Sequence, residues 1–268
     1  MNQLIVCALN YYPVKSCAGT PLMRAELDSN GIKHDREFMV VDAVSGKFET
    51  QRKKPQMALV KPALSGNYIE FNAPGMTPLD VIVRKQGKTM DVFVRDIPCK
   101  GVDQGEEAAR WFSNYLGGDY RLVRFSDECV RYAGGKPEQG YVAFADAYPL
   151  LVISEESRAD LSLQVGYDIP MDRFRPNIVI SGSKPYVEDS ILNMRIGDVE
   201  FSFVKPCVRC NITLVDQTSA QLGKEPLATL TKYRRNADGK IEFGQNVVHK
   251  LNGPIAVGDS IKILDYKR

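Results

Sequence analysis

Histidine is scarce in this chain of 268 residues, because only His34 and His249 occur. They are far apart in sequence and cannot by themselves form a multi-histidine metal site, which argues against a zinc or non-haem iron enzyme. An excess of charge of one sign is also lacking, since 35 basic side chains face 33 acidic ones and the formal net charge is +2. No overall field attracts a nucleic acid polymer or an anionic membrane, so any anion site must be local.

Long apolar runs are lacking as well. Residues 1–7 have no basic region and are too short for a secretory signal, and nothing elsewhere approaches the roughly 18 apolar residues of a membrane-spanning helix. The six cysteines have no framework spacing, which favours a reducing compartment with free thiols. These absences predict a cytoplasmic protein that does not contact a membrane.

Short β-type runs separated by turn residues dominate the sequence. In the first half they are residues 5–9, 38–41, 57–60, 68–71, 81–83 and 90–94. In the second half they are residues 150–153, 178–180, 199–204, 212–215 and 261–264. This succession predicts an α+β fold that is predominantly β, with two mostly β units and a few helices. The two units are residues 1–120 and 121–268, and this boundary is approximate.

Helices are predicted where apolar spacing and end signals agree. An apolar stripe from Ala108 to Leu116 recurs at helical spacing, and Gly117 follows it as a stop. The single tryptophan, Trp111, lies on that stripe, so a place in the core accounts for it. Ser154 precedes two acidic residues, which is typical of a helix cap, and a short helix is expected near residues 226–233. Residues 126–141 are polar and predict a connecting loop.

Cys207 and Cys210 form the only close pair of cysteines. A Cys-x-x-Cys pair is found in redox centres, in four-cysteine metal sites, as a source of one soft-metal ligand, or as two packed thiols. The β-branched run at residues 211–215 predicts a strand, whereas redox pairs usually begin a helix, and the other cysteines are too isolated for a closed zinc site. Lys205 and Arg209 flank the two thiols and would favour thiolate over thiol if either side chain points into the same space. Local chemistry leaves a single thiolate ligand and two inert packed thiols equally open.

Other basic residues lie at predicted strand boundaries, where binding residues are often found. Lys15 and Ser16 follow the first strand, Arg36 precedes another, and Arg175 and Asn177 precede a third. A guanidinium offers a planar fork of donors to an anion, and a lysine offers a point charge. Each group taken alone is better explained as solvated surface charge.

Several ordered segments carry a resemblance that joins these separate signals. They read YPVKSCAG at residues 12–19, HDREFMV at 34–40, FRPNIVI at 174–180, KPCVRC at 205–210, EPL at 225–227, FGQN at 243–246 and VGD at 257–259. Together they resemble the MOSC superfamily, within it the YcbX-like bacterial proteins and the mitochondrial amidoxime-reducing components. The resemblance implies an N-terminal β-barrel-like domain packed against a MOSC β-barrel domain with a few peripheral helices.

The resemblance also implies a molybdenum-pterin cofactor in its molybdopterin form, held at the interface of the two domains. It assigns the thiolate of Cys210 as the ligand of the metal, with Cys207 as a neighbour. The implied cofactor-binding residues are Lys15, Ser16, Arg36, Arg175, Asn177, Cys207 and Arg209.

The activity that the resemblance implies is reduction of small N-hydroxylated compounds, in which two electrons and two protons cleave the N–O bond and release water. Asp146 is a candidate catalytic residue for proton transfer or positioning, although a loop-capping carboxylate explains it equally well. Some bacterial relatives carry a ferredoxin-like domain with an iron-sulfur cluster, and no such cysteine cluster occurs here. A separate electron donor, such as a ferredoxin-like or flavin reductase protein, is therefore expected.

Two other interpretations remain open. The chain could be a non-catalytic carrier of the molybdenum cofactor, or a sulfur-transfer MOSC module in which a cysteine carries a persulfide. MOSC domains are also fused to pyridoxal-phosphate-dependent sulfurases, but the sequence has no clear lysine-centred site, so pyridoxal phosphate is not supported. A structural β protein with inert thiols is the third interpretation.

Overall fold

The computed structural model describes residues 3–267. The two predicted units also include Met1, Asn2 and Arg268, which lie outside the described residues. The strands are β1 (Ile5–Tyr11), β2 (Thr20–Leu22), β3 (Arg24–Asp28), β4 (Gly31–Ile32), β5 (Phe38–Asp42), β6 (Lys61–Ser65), β7 (Tyr68–Asn72), β8 (Leu79–Ile82), β9 (Thr89–Val94), β10 (Ile97–Asp103), β11 (Tyr120–Phe125), β12 (Leu150–Ser154), β13 (Ile178–Ser181), β14 (Ile191–Ile196), β15 (Val199–Val208), β16 (Glu242–His249), β17 (Gly253–Ala256) and β18 (Ile261–Tyr266). The α-helices are α1 (Glu106–Leu116), α2 (Glu155–Val165), α3 (Val187–Ser190) and α4 (Leu227–Tyr233). The predicted class, predominantly β with few helices, is confirmed.

One sheet of eight strands, in the order β18-β14-β15-β16-β12-β13-β1-β2, combines six strands of the second half of the chain with β1 and β2 from its start. A sheet of three strands, β17-β3-β4, packs on it. Ala25, Leu27 and Ile255 of the small sheet belong to the same buried apolar cluster as Val6 and Phe201 of the large one. Burial of both apolar faces against each other is what holds these curved sheets together.

The first half of the chain contributes a second core. The sheets β5-β11-β10-β9 and β6-β7-β8 lie beside α1, whose apolar side packs into a cluster that includes Phe38 and Phe71. Trp111 on α1 lies 5.8 Å from the ring of Phe71 and donates a hydrogen bond of 2.8 Å from its indole nitrogen to the carbonyl of Thr77. The expected core role of Trp111 is therefore confirmed.

The chain crosses between the two sheet systems near its start. β1 pairs with β13 in the large sheet, whereas Val14, three residues after β1, forms a bridge with Phe38 at the start of β5. β11 runs beyond residue 120 and still pairs with β5 and β10. A division at residue 120 therefore remains a prediction. The segment that crosses between the sheet systems, directly after β1, contains Lys15 and Ser16.

Some predicted elements take a different form. Residues 57–60 lie largely in a 3-10 helix, Pro55–Leu59, because proline at its first position favours a helical turn and the burial of Met57 and Ala58 produced the strand-like pattern. Residues 211–215 are also not a strand. They form a 3-10 turn at Asn211–Leu214 instead. The Cys210 carbonyl accepts two hydrogen bonds from Thr213, one from its backbone amide at 3.1 Å and one from its side-chain hydroxyl at 3.0 Å. The expected strand after Cys210 therefore no longer argues against a redox pair.

The remaining helix and loop predictions are confirmed. The Ser154 hydroxyl accepts from the Ser157 amide at 3.1 Å and caps α2, and α4 lies where a short helix was expected. Residues 126–141 lie in the connection between β11 and β12, which contains two 3-10 turns, Ala133–Gly135 and Pro137–Gln139. Among the helices of the described range, none is long and apolar enough to cross a membrane.

Candidate functional site

The two close cysteines have different surroundings. Cys207 lies near the end of β15 and is partly buried, and Arg209 donates to its Sγ from Nη1 at 3.1 Å. Cys210 is exposed, at the start of the 3-10 turn, and its Sγ lies 3.9 Å from Nη1 of Arg52. Arg209 is anchored by a 2.8 Å hydrogen bond from Nη2 to the carbonyl of Phe174. Cys210 is thus the thiol that an external group can reach, with a guanidinium close by.

Lys15 is an almost fully buried cation, with 6% of its surface exposed. Its Nζ donates to the carbonyl of Phe144 at 2.8 Å and to Oδ1 of Asp146 at 2.7 Å. Burial lowers the pKa of Lys15, and the charge of Asp146 opposes that shift. An ammonium has three N–H donors, so one of them remains for a further acceptor.

Asp146 pairs with Lys15, and this contact controls its charge state. The Lys15 ammonium lowers the pKa of Asp146 well below its usual range, against the effect of burial. Arg95 lies 4.0 Å from the same carboxylate oxygen and adds to the effect. Asp146 is therefore ionised at neutral pH, which makes it a poor proton donor there and favours the positioning role over the acid role.

Arg36 and Arg175 are brought together by Tyr12. The central guanidinium carbon of each arginine lies 4.2 Å from the centre of the Tyr12 ring. The Tyr12 hydroxyl donates to the carbonyl of Pro176 at 3.1 Å, and its backbone amide donates to Asp35 at 2.8 Å. Burial raises the pKa of Tyr12 to about 12, so the ring stays neutral between the two cations. Arg36 and Arg175, about 140 positions apart in sequence, thereby both make a cation–π contact with the Tyr12 ring.

Buried polar groups fix the direction of Arg36. Its Nη1 donates to Oδ2 of Asp35 at 2.5 Å and to Oδ1 of Asn177 at 3.2 Å. The Asn177 side chain also accepts from the Leu151 amide at 3.2 Å and donates to the carbonyl of Asn10 at 3.3 Å. Asn177 is therefore occupied by protein groups and acts on the site through Arg36.

Arg175 keeps one donor without a protein partner. Its Nη1 donates to the carbonyl of Cys17 at 2.7 Å, but Nη2 is buried and has no hydrogen-bond partner within residues 3–267. Burial lowers the pKa of Arg175 to about 10, and the group is still charged at neutral pH. A buried cationic donor without an acceptor is costly unless a bound anion supplies one.

The backbone is strained at three of the expected binding residues. Ser16, Arg36 and Arg175 have φ of 67°, 49° and 57°, in the left-handed region that non-glycine residues rarely adopt. Each such residue costs on the order of 1–3 kcal/mol, and such residues cluster at functional sites.

Residues that the sequence did not single out complete the arrangement. Gln51 is fully buried, and its Nε2 donates to the carbonyl of Ser16 at 2.8 Å. The side-chain amides of Gln51 and Gln217 also exchange hydrogen bonds of 3.1 and 3.0 Å, which ties the Ser16 turn to the segment after Cys210. Arg52, next to Gln51, is the residue near the Cys210 sulfur. The one sequence signal was the polar run Thr50, Gln51, Arg52 after a hairpin.

The predicted site residues therefore belong to one network of neighbouring contacts. Arg175 binds the turn of Lys15 and Ser16 through Cys17, and Gln51 connects that turn to the Cys210 segment. No group of three or more His, Cys, Asp or Glu side chains in the described part of the chain is arranged to hold a metal ion. A cleft of about 710 Å³ lies elsewhere, beside the start of α1, and does not include these residues.

Comparisons with known proteins agree with this organisation. The family model for the MOSC N-terminal beta barrel domain matches residues 3–119, and the model for the MOSC domain matches residues 139–262. The chain is 37% identical over 273 residues to "Mitochondrial amidoxime reducing component 2" of Rattus norvegicus, which covers 93% of this chain and 80% of that protein. It is 35% identical over 288 residues to "Mitochondrial amidoxime-reducing component 1" of Homo sapiens, with 97% and 82% covered.

A further relative extends the range of this similarity. "Molybdenum cofactor sulfurase" of Oryza sativa subsp. japonica is 33% identical over 259 residues, covering 87% of this chain and 31% of that protein. The matches to both domain models, and to the two amidoxime-reducing components over most of their length, identify the fold and the family together. The chain belongs to the MOSC-domain proteins with an N-terminal MOSC β-barrel, the family that includes the mitochondrial amidoxime-reducing components.

Proposed function

We propose that this protein binds a molybdenum-pterin cofactor and reduces small N-hydroxylated compounds with electrons from a separate redox protein. The relatives named as amidoxime-reducing components support the reaction class. The relative named as a molybdenum cofactor sulfurase supports the cofactor. The observation that carries the proposal is the buried Nη2 of Arg175, which lacks a partner in residues 3–267.

The donors around Arg175 fit the anionic part of such a cofactor. The free Nη2 of Arg175 and the remaining N–H of Lys15 are both charged donors, and charge-assisted hydrogen bonds are the strongest that a phosphate accepts. Arg36 is held beside Arg175 by Tyr12 and Asn177. Because these donors are fixed before binding, little ordering cost remains when the anion arrives.

The thiol environment fits a single soft ligand. Cys210 is exposed, and the described residues offer no cluster of several ligands, so a metal here would take one ligand from the protein and the rest from its cofactor. When bound, the molybdenum-pterin group would supply the two-electron chemistry that cleaves an N–O bond. Arg52 would then lie beside the reacting region and offer a donor to a polar substrate.

The other residues of the proposed site hold or orient. Arg209 would line the pocket and keep Cys207 in place through the 3.1 Å contact with its Sγ. Asp146, ionised at neutral pH, would hold the Lys15 ammonium toward the site. The proton for the leaving oxygen would then come from solvent or from the substrate, because Asp146 has none to give.

A carrier or sulfur-transfer role is the second candidate. The relative named as a molybdenum cofactor sulfurase favours it, as does the Arg209 guanidinium that contacts Cys207 and would stabilise a sulfur anion there. The electron donor, expected to be a ferredoxin-like or flavin reductase protein, remains a prediction. A cytoplasmic location also remains one, since the relatives carry mitochondrial names.

The test is expression of the full chain in a molybdenum-replete host, followed by measurement of bound molybdenum and pterin. Reduction of an N-hydroxylated base would be assayed with an artificial electron donor. We expect metal in the wild type, loss of metal and activity in Cys210→Ala, and a milder loss in the matched variant Cys207→Ala. The exposed position of Cys210 predicts that cofactor-free wild type and cofactor-free Cys210→Ala have the same Tm, which separates ligand loss from unfolding.

The outcomes distinguish the candidates. Wild-type protein that stays free of molybdenum in such cells would contradict the proposal. Cofactor without turnover, or a cysteine that carries an additional sulfur atom, would favour the carrier or sulfur-transfer role. Full metal content and activity in Cys210→Ala would show that another residue is the ligand.

A further inference from the structure

A second pair of cysteines lies in the first half of the chain, away from Cys207 and Cys210. Cys99 is in β10, and Cys129 is in the turn after β11, 30 positions later. Their sulfur atoms lie 2.8 Å apart, which is closer than an ordinary contact between two unbonded sulfurs. Cys99 lies in a strand and Cys129 in a turn that is hydrogen-bonded to that strand, so the backbone sets this approach.

The backbone around both cysteines is fixed by hydrogen bonds. β10 and β11 pair antiparallel, with Gly101 opposite Phe125. The amide of Ser126 then donates to the carbonyl of Lys100 at 3.2 Å, and the amide of Cys129 donates to the carbonyl of Ser126 at 2.9 Å. The turn therefore folds Cys129 back over β10 and places its sulfur beside that of Cys99.

The two thiols differ in exposure and in charge. Cys99 is buried, with 5% of its surface exposed, in an apolar cluster with Phe125 and Phe144, whereas Cys129 is only partly buried. The hydrogen bond from Cys99 lowers the pKa of Cys129, and the same contact together with burial raises the pKa of Cys99. Arg131 adds positive charge beside both sulfurs. Cys129 is thus the accessible nucleophile, and Cys99 is the partner held next to it.

We propose that Cys99 and Cys129 form a reversible disulfide, with hydrogen peroxide as the oxidant. The Cys129 thiolate attacks one peroxide oxygen, the O–O bond breaks, and the sulfenic acid of Cys129 forms as hydroxide leaves and is protonated to water. Cys99 then loses its proton and attacks the Cys129 sulfur, the S–S bond forms, and a second water leaves. Two thiols and one peroxide give one disulfide and two waters. A small dithiol returns two electrons and two protons and restores both thiols.

The disulfide would strengthen a loop that reaches the Lys15 pocket. Two residues after Cys129, the buried Arg131 donates from Nη1 to the carbonyl of Ala143 and, at 3.0 Å, to that of Ala145. Asp146, which holds Lys15, follows directly. Because the cross-link closes a segment of 30 positions, oxidation is expected to raise the Tm on the order of 5–10 °C.

The test uses the full chain, reduced with a dithiol, desalted and treated with hydrogen peroxide. Alkylation of the remaining thiols and peptide mapping should yield one cross-linked peptide pair that contains Cys99 and Cys129, two hydrogens lighter than the reduced peptides. A dithiol should remove it. The pair should be absent from Cys129→Ser and present in the matched control Cys7→Ser, which removes another partly buried thiol. The rise in Tm should occur in the wild type and not in Cys129→Ser.

Several results would overturn the inference. One is that both Cys99 and Cys129 remain open to alkylation at peroxide concentrations that oxidise other cysteines of the chain. Another is oxidation of Cys129 to the sulfinic acid while Cys99 stays a thiol. A third is a cross-link from Cys129 to a different cysteine. If the buried Cys99→Ser variant does not fold, the peptide map of the wild type and the Tm of Cys129→Ser still decide the question.

Discussion

The contact between Lys15 and Asp146 gives the most direct test of how the site is built. Asp146→Asn keeps the size of the side chain and removes its charge, so a buried ammonium loses the carboxylate that lies 2.7 Å from its nitrogen. The Phe144 carbonyl at 2.8 Å remains as a neutral acceptor. We expect this variant to fold with reduced stability at neutral pH, because an uncompensated buried charge is expensive.

The magnitude follows from the distance and the exposure. Two unit charges 2.7 Å apart attract by about 6 kcal/mol at an effective dielectric constant of about 20. Burial of Lys15 offsets part of this, and the Asp146 side chain is 45% exposed, so solvent screens the pair. We therefore expect a loss of about 1–3 kcal/mol in the free energy of unfolding, or about 3–9 °C in Tm.

The loss should depend on pH in one direction. Lys15 lowers the pKa of Asp146 in the folded protein, so the carboxylate contributes its stabilisation above the unfolded pKa of about 4 and loses it as the pH falls toward the lower folded value. The difference between wild type and Asp146→Asn should thus be full at pH 7 and shrink below about pH 4. Without Asp146, the pKa of Lys15 should fall further, since burial then acts without an opposing charge.

Urea unfolding of four proteins measures the coupling: wild type, Asp146→Asn, Lys15→Met and the double variant. Lys15→Met removes the buried charge but keeps the chain length, so the cost of Asp146→Asn should nearly disappear in that background. A coupling of about 2 kcal/mol is expected. A cost below about 0.5 kcal/mol at pH 7, or an equal cost in the Lys15→Met background, would refute the proposal that Asp146 holds Lys15.

Two further predictions concern groups that support the site. Tyr12→Leu should lower the molybdenum and pterin content of protein from molybdenum-replete cells several-fold, because Arg36 and Arg175 lose the ring that both contact. Tyr12→Phe keeps the ring, so its effect should be mild. Equal cofactor content in the two variants would contradict this prediction. Gln51→Ala should lower the free energy of unfolding by about 1–3 kcal/mol, since it leaves the Ser16 carbonyl and the side-chain oxygen of Gln217 without their donor. A loss below about 0.5 kcal/mol in urea unfolding would show that water replaces the lost hydrogen bonds.

Strand patterns predicted nine of the 18 strands in the described residues, and the failures have identifiable causes. β10 contains Pro98 and Gly101, which are typical of turns, yet its edges are paired on both sides by β9 and β11. The run after Cys210 is rich in β-branched residues, but local hydrogen bonds to the Cys210 carbonyl close a turn instead. The local sequence indicates which residues favour a strand, but it does not indicate which backbone N–H and C=O groups will form hydrogen bonds between strands.

The candidate site was predictable only in part for a similar reason. Motif resemblance singled out Lys15, Arg36, Arg175 and Cys210, and the structure joins their segments in one network. Gln51 carries only a weak local signal, the polar run of residues 50–52, because its function comes from contacts with Ser16, 35 positions away, and Gln217, 166 positions away. Pairings at such separations depend on the completed fold, which no single segment encodes.

The pairing of β1 with β13 affects how the chain folds during its synthesis. Ile5 lies opposite Ser181, so the edge of β1 that faces β13 has no partner until residue 181 has been made, whereas β2 follows soon and pairs with the other edge. At about 5–20 residues per second, the wait is on the order of 10–35 s. During that time Val6 and Leu9, both fully buried in the finished fold, lie on a strand with one open edge. Slower translation should therefore lower the soluble yield, and chaperones that cover early apolar strands should restore it.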